Sequence, residues 1–252
     1  MCRLLKLSSR RSVSIEGAHL QLANYFFDTP VAQDRVRRSA DLTGLKVWPT
    51  ALKLLKEVSS SHLPKLLAKA ATHKRPLRVI ELGSGTGVLG LGVALLSGPS
   101  SHIVLTDPNL PVNFTESESG SSLEWLQVNA DLNREATDAA GARVEVQELE
   151  WSNAEHRANL LAREGASFDL VLGSELLYDP DQYRPLLQVI TELSAHPDTL
   201  TILGYTLRHG AEARFVTGAE DRFERVETRH FERSAASPVE WQLTTLSGGL
   251  KS

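Results

Sequence analysis

Residues 79–87 read Val-Ile-Glu-Leu-Gly-Ser-Gly-Thr-Gly. The apolar part of this run is typical of a buried strand, and residues 88–96, which follow it, are predicted to form a helix. The alternating glycines between them permit positive φ and remove the Cβ atoms that would keep a ligand away from the backbone. The N-terminus of the helix offers unpaired N–H groups to an anionic part of a ligand. The run therefore predicts a strand–turn–helix unit that binds a ligand at its turn.

Strands and helices alternate along the rest of the chain. Pro49 suits the first turn of a helix that begins after Trp48. Further helices are predicted at 63–71, 123–132, from Pro180 through Leu193 and at 211–218, and strands at 77–82, 102–107, 143–149, 168–173, 200–205, 223–231 and 239–246. The last two strands have no helix between them. We predict an α/β fold: a Rossmann-like, seven-stranded, mostly parallel sheet with helices on both faces and a C-terminal antiparallel hairpin.

Two regions are expected along the chain. Residues 1–43 form an N-terminal extension, with one or two short strands within 12–27 and a polar connection over 28–43. Residues 44–252 form the ligand-binding domain. The polar patch at 115–122 is expected to be a surface loop.

Composition narrows the class of protein. The chain has 252 residues, a net charge of −4 at pH 7 and one cysteine. An acidic chain does not favour nucleic acid as a partner, because such proteins usually present a basic face. One cysteine allows no intrachain disulfide and no cysteine-based zinc site, and we predict no metal. The sequence has no 18-residue apolar run and no signal-peptide core, so we expect a cytoplasmic protein without a membrane span. It has no heptad run or large patterned apolar surface, so we expect a monomer.

Residues 85–90 also match the dinucleotide fingerprint G-x-G-x-x-G, which raises NAD as an alternative ligand. Two details oppose it. The first glycine of the turn is Gly83, which would displace the fingerprint two residues into the helix. Glu81, in the strand just before the turn, would contribute nothing to a pyrophosphate site. An acid there suits a ligand that carries a cation, such as the α-ammonium of a methionine moiety.

Two further side chains are typical of a nucleoside site. Asp107 ends the next predicted strand, 20 residues after Gly87 (107 − 87), where a carboxylate can accept both ribose hydroxyls. It would serve NAD equally well. Trp151 follows the third strand and offers a flat apolar face on which adenine can stack.

Glu175 and Tyr178 follow the fourth strand and are expected at the same crevice, because ligands lie beyond the carboxyl ends of parallel strands. The Asn/Asp-Pro-Pro-Tyr run common in enzymes that methylate exocyclic amines is missing here. A carboxylate and an aromatic ring better suit a cationic side chain as the acceptor of a methyl group. Glu175 would anchor this side chain, and Tyr178 would flank it through cation–π contact. We predict these two as the catalytic pair, with Glu175 binding and orienting the acceptor.

Together these motifs resemble the eukaryotic seven-β-strand protein-lysine methyltransferases of the family 16 type, over about residues 44–208. The matching pieces are Lys46-Val47-Trp48, residues 81–87, Thr106-Asp107, residues 129–133, Leu149-Glu150-Trp151 and residues 174–178. The resemblance implies S-adenosylmethionine as the cofactor and residues 44–252 as the methyltransferase domain. It implies cofactor contacts by Trp48, Gly83, Ser84, Gly85, Thr86, Gly87, Asp107 and Trp151, with Ser174 near the cofactor; Glu81 completes the cofactor set through its charge.

The resemblance also bears on the acceptor. It makes Glu175 and Tyr178 the acid-x-x-aromatic substrate motif, and it implies a protein substrate of the translation-factor or chaperone class. Most members carry Asp at the position of Glu175, and related enzymes with Glu modify histidine. Lysine is therefore the favoured acceptor, with protein histidine or a small molecule as alternatives. A catalytically inactive methyltransferase-fold binding module is the alternative from outside the enzymes.

Overall fold

The computed structural model of the chain describes residues 10–15, 18–23, 44–113, 119–165, 167–208, 210–232 and 240–251. The strands in these ranges are β1 (Arg10–Ile15), β2 (Ala18–Ala23), β3 (Leu77–Leu82), β4 (Ser101–Asp107), β5 (Pro111–Asn113), β6 (Ser119–Ser121), β7 (Ala142–Glu148), β8 (Leu170–Ser174), β9 (Leu200–Tyr205), β10 (Phe223–Phe231) and β11 (Trp241–Leu250). The α-helices are α1 (Pro49–Glu57), α2 (Leu63–Thr72), α3 (Val88–Leu96), α4 (Ser122–Ala139), α5 (Ala154–Glu164), α6 (Tyr183–Leu193) and α7 (Glu212–Glu220). A π-helical segment, Val58–His62, joins α1 to α2, and a 3-10 turn, Pro180–Gln182, precedes α6.

Seven strands form the central sheet in the order β10-β11-β9-β8-β3-β4-β7. The five strands from β9 to β7 are parallel, and β11 and β10 add an antiparallel hairpin at one edge. This confirms the predicted fold class. The chain runs outward from β3 through β4 to β7 and then returns to β8 on the other side of β3. The strand order therefore reverses between β3 and β8, and such a switch point opens a crevice at the carboxyl ends of the strands.

The continuous apolar runs of the parallel strands are explained by helices on both faces of the sheet. Successive side chains point to opposite faces, so Val79 packs with α1 to α4 while Ile80 packs with α5 to α7. Ile103 and Val104 divide in the same way on β4. Both faces are buried, as is usual for parallel sheets.

The observed helices differ from the predicted ones in three places. Helix α4 begins at a capping box, in which Ser121 and Glu124 bond each other's backbone N–H groups, and it continues to Ala139 instead of ending near 132. Helix α5 was not predicted, because its face to the sheet buries only one residue, Leu160. The helix predicted to start at Pro180 opens as a 3-10 turn capped by Asp179.

The N-terminal strands form a separate two-stranded antiparallel sheet, as predicted within 12–27, and β2 runs alongside α3 and α4. The connection predicted over 28–43 lies outside the described residues. The patch at 115–122 is not wholly a loop: β6 pairs with β5, and Ser122 is the first residue of α4. None of the helices in the described part of the chain is long and apolar enough to cross a membrane.

Candidate active site

The turn after β3 requires its glycines. Gly83, Gly85 and Gly87 have φ values of 58°, 53° and 78°. A Cβ on Gly83 would lie 2.7 Å from Leu176 Cδ2, and one on Gly85 would lie 2.9 Å from the carbonyl oxygen of Gly44. The positive φ would strain any other residue at these positions, and at Gly85 a Cβ would also meet backbone, so the turn requires glycine.

Ser84 and Thr86 fix this turn against its neighbours. The Ser84 N–H donates to Thr106 O (2.8 Å) on β4, and its hydroxyl accepts from the Thr106 N–H (3.1 Å). The carbonyl of Thr86 accepts from the side-chain amide of Asn129 (2.9 Å) on α4. Both side chains are buried, so their observed contacts hold the shape of the turn.

Asp107 is the last residue of β4, and its carboxylate lies beside the glycine turn. Its Oδ2 accepts from the Gly85 N–H at 2.8 Å. Burial raises the pKa of Asp107 to about 6, although the Gly85 N–H and the Ser122 hydroxyl both favour the ionised form. The hydrogen bond from Gly85 does not compensate for the lost water, so this carboxyl has capacity for further donors from a ligand.

Glu81 lies beneath the turn and contacts the first turn of α3. Its Oε2 accepts from the Gly90 N–H at 2.9 Å. Burial and, to a smaller extent, the nearby charge of Asp107 raise the pKa of Glu81 to about 8, against the opposing effects of Gly90 and Ser84. A cation near this carboxyl would favour its ionised form.

Two buried polar atoms of the predicted site have no hydrogen-bond partner among the described residues. They are Trp151 Nε1 and Ser174 Oγ. Trp151 is held by its carbonyl, which accepts from Arg157 (2.7 Å), and its ring carbon Cζ2 would lie 3.4 Å from a Cβ on Gly83. Buried polar atoms are nearly always paired, so these two suggest a ligand at the crevice.

Glu175 follows Ser174 in a left-handed conformation, with φ of 59°. Its peptide N–H donates to Gly204 O (2.8 Å) on β9. The buried carboxylate accepts from the Thr50 hydroxyl at Oε1, and from the Thr206 hydroxyl and Arg208 Nη2, each at 2.9 Å, at Oε2. The predicted acceptor anchor is therefore already paired inside the protein.

Trp48 and Tyr178 lie at the outer part of this end of the sheet. Trp48 caps α1, and two cations approach its ring: Lys46 Nζ at 4.5 Å and Arg208 Cζ at 5.2 Å from the centroid. Tyr178 is 49% exposed. Burial raises the pKa of its phenol, as do the charges of Asp107 and Asp179, whereas Arg208 lowers it. Tyr178 thus lies within electrostatic reach of both halves of the site.

Sequence reasoning missed the partners of Glu175, namely Thr50, Thr206 and Arg208. A usable signal existed for two of them. Thr206 and Arg208 follow β9, another strand of the predicted parallel sheet, so the rule that assigned Glu175 to the crevice also applies to them.

A second cluster of titratable groups lies at the opposite end of the sheet. His102, Glu145 and Glu164 have ligand atoms within 4.8 Å of one another. The carboxylates already pair with guanidinium groups, supplied by Arg78, Arg143 and Arg163. Gln147 donates to Glu164 as well, at 2.6 Å. These contacts make the cluster an ion-pair network.

Comparison with solved structures supports the class of fold. The METTL16 MTase domain superposes with a TM-score of 0.54 at 9% sequence identity, covering 80% of this chain and 70% of that one. At such low identity the likeness shows the fold alone, which is that of a Rossmann-like methyltransferase.

Sequence comparison gives the family. Residues 35–222 match the model of the family described as lysine methyltransferase, and since this is more than half of the chain, the chain belongs to that family. Protein N-lysine methyltransferase METTL21A of Danio rerio is 29% identical over 197 residues, covering 77% of this chain and 76% of the relative. EEF1A lysine methyltransferase 3 of Mus musculus is 28% identical over 186 residues, covering 74% of this chain and 63% of the relative.

Proposed function

We propose that this chain transfers methyl groups from S-adenosylmethionine to a lysine side chain of another protein. The observation that carries the proposal is the meeting of two motifs at one switch point. The glycine turn and Asp107 lie on the β3–β4 side of the crevice, and Glu175 with Tyr178 follows β8. Membership of the lysine methyltransferase family supports the same reaction.

The residues around the glycine turn fit this cofactor. Asp107 would accept from the ribose hydroxyls, which are donors that this desolvated carboxyl needs. Trp151, with its unpaired Nε1, would stack on adenine, and the carboxyl of Glu81 would face the α-ammonium. Ser174 and Trp48 complete the proposed contacts. When bound, S-adenosylmethionine supplies a methyl group on a sulfonium.

The residues of the β8 side suit an amine acceptor. The carboxylate of Glu175 is fixed by donors from α1 and from the segment after β9, so it can orient an acceptor nitrogen without moving itself. Alignment of this kind contributes much of the rate in a displacement reaction. The exposed ring of Tyr178 offers its face to the aliphatic stem or the charge of a lysine.

The mouth of the crevice suits a macromolecular acceptor. Tyr178 is 49% and Leu207 51% exposed, and both follow carboxyl ends of strands in the sheet. We propose that these two side chains contact the surface of the protein substrate. EEF1A is the first protein to test, because the mouse relative is named for it.

Labelling of a cell lysate tests this proposal. Purified chain is incubated with lysate and isotopically labelled S-adenosylmethionine, and mass spectrometry locates the modified residue. We expect label on a lysine of one or a few proteins. Glu175→Gln keeps the size of the side chain but loses its charge, and we expect labelling to fall at least ~100-fold while calorimetry shows cofactor affinity close to that of the parent.

A matched control removes a similar acid–arginine pair far from the crevice. Glu57 lies at the other end of α1 and pairs with Arg229 at 2.6 Å, so Glu57→Gln should label like the parent. Label on histidine would contradict the lysine assignment. Tight cofactor binding without any labelled protein would instead indicate a binding module.

A further inference from the structure

Arg208 is held at the mouth of the crevice by several elements. Its Nη2 lies 2.9 Å from Glu175 Oε2, and its guanidinium carbon lies 5.2 Å from the centroid of the Trp48 ring. Its peptide N–H donates to Glu212 Oε1 (2.8 Å) on α7. The side chain is 32% exposed. A fixed positive charge therefore lies next to the carboxylate that is proposed to orient the acceptor.

This charge matters because of what an unpaired carboxylate would do. A bare Glu175 would stabilise the ammonium form of an approaching lysine, and an ammonium has no lone pair with which to attack a methyl group. A cation within about 4–6 Å has the opposite effect, because it disfavours a second positive charge. Arg208 neutralises Glu175 and adds this repulsion.

Other charged groups act at the same mouth of the crevice. Glu175 and Glu212 accept hydrogen bonds from Arg208, and Lys46 approaches the same Trp48 ring. Asp107 and Asp179 act, with Arg208, on Tyr178. Asp107 and Asp179 raise the pKa of the Tyr178 phenol, and Arg208 lowers it. The field of the guanidinium therefore reaches the ring that would flank the acceptor.

We propose, building on the function proposed above, that Arg208 is a positioning residue that fixes Glu175 and keeps the acceptor lysine in its unprotonated, nucleophilic form. Its charge, beyond its hydrogen bond, is the property that the reaction uses.

The pH dependence of methylation separates these two properties. We compare kcat/KM from neutral to alkaline pH for the parent, Arg208→Gln and Arg208→Lys, using as probe the lysate protein that the labelling experiment identifies. We call the rise of kcat/KM with increasing pH the rising limb. In Arg208→Gln this limb should lie about one pH unit higher than in the parent, because the acceptor ammonium is no longer repelled. Arg208→Lys should keep the limb near that of the parent. Arg229→Gln, whose guanidinium pairs with Glu57 at the far end of α1, removes the same charge away from the crevice and should leave the limb unmoved.

A second measurement needs no acceptor. The ultraviolet absorbance of tyrosinate is titrated, with Tyr178→Phe subtracted to isolate the phenol of Tyr178. Loss of the Arg208 charge should raise the pH at which Tyr178 ionises in Arg208→Gln, with no such rise in Arg208→Lys.

The outcomes are distinct. A limb that stays in place in Arg208→Gln, with only kcat reduced, overturns this proposal and leaves Arg208 as a structural partner of Glu175. An equal shift in Arg208→Lys also overturns it, because the charge is kept there. A parent that labels no lysine overturns the proposed function and this inference with it, whereas lysine labelling with an unmoved limb overturns this inference alone.

Discussion

The backbone of Glu175 occupies the left-handed region, at φ of 59°, which a residue with a Cβ rarely adopts. Such a conformation costs on the order of 1–3 kcal/mol and persists only where the surroundings fix it. Here the Gly204 carbonyl holds the backbone, and Thr50 and Thr206 hold the carboxylate. The strained turn places this carboxylate between α1 and the segment after β9. Strain of this kind is concentrated at functional sites, which agrees with the role proposed for Glu175.

The ionisation of Asp107 predicts how cofactor affinity depends on pH. Its pKa in the ligand-free chain is about 6, and ribose hydroxyls donate best to the ionised form. Cofactor affinity of the parent should therefore increase as the pH rises through about 6. Asp107→Asn carries no charge, so its affinity should be weaker by about 1.5–3 kcal/mol above that pH, and this deficit should shrink below it. Calorimetry with S-adenosylhomocysteine from pH 5 to 8 measures the difference; a deficit that does not change with pH would exclude Asp107 as the ribose ligand.

At the scale of elements, α4 supports the glycine turn through polar residues. Asn129, Asn133 and Thr137 are spaced four apart and buried, so they form one inward stripe on the helix. Asn129→Ala removes the donor to Thr86 O and leaves that carbonyl unpaired, which should lower the free energy of unfolding by about 1–3 kcal/mol. Because the turn loses a support, cofactor affinity should fall too.

Asn133→Ala is the matched control, since its amide donates within α4, to Asn129 O. It should destabilise the fold with little change in affinity, and equal affinity losses in the two variants would contradict a specific role for Asn129.

Helix α4 also shows which parts of the fold could be predicted from the sequence. Strands such as β3 and β9 were predicted because continuous apolar runs bounded by turns identify a sheet buried on both faces. The second half of α4 was missed because its inward side chains, Asn133 and Thr137, are polar, and α5 was missed because little of it is buried. The positions of Asp107 and Glu175 at one edge followed from their places at the carboxyl ends of parallel strands. Their partners did not, because the bond from Thr50 to Glu175 joins residues 125 positions apart and depends on packing that no local pattern encodes.

For the whole molecule, the switch point between β3 and β8 has an energetic consequence. The helices on both faces remove water from the strand ends, and two carboxyls, Glu81 and Asp107, are buried there with few donors. Burial of an incompletely paired carboxylate is unfavourable and raises its pKa. The ligand-free fold therefore contains a local instability at the place where a ligand with hydroxyl and ammonium donors would relieve it.

This instability predicts how stability changes with pH. The folded pKa values of Asp107, about 6, and Glu81, about 8, lie above their ordinary values of 3.8 and 4.5. The folded chain thus binds these protons more tightly than the unfolded chain, so their contribution to stability is present below about pH 4 and is lost as the pH rises through about 6 and then about 8. A chain carrying both Asp107→Asn and Glu81→Gln has neither titrating carboxyl, so it cannot lose stability in this way as the pH rises.

The free energy of unfolding of this double variant, measured by urea titration between pH 4 and 9, should therefore rise relative to that of the parent. Each pKa unit corresponds to about 1.4 kcal/mol, so the gain should amount to several kcal/mol by about pH 8. Taking the difference between the two chains cancels the other groups that titrate in this range, such as His62 and His102, whose pKa values are lowered chiefly by burial. Saturating S-adenosylhomocysteine should stabilise the parent far more than the variant, because only the parent offers carboxylates to the ligand's donors. Parallel curves with and without ligand would mean that these carboxyls ionise freely in the fold, and the link between their burial and cofactor binding would fail.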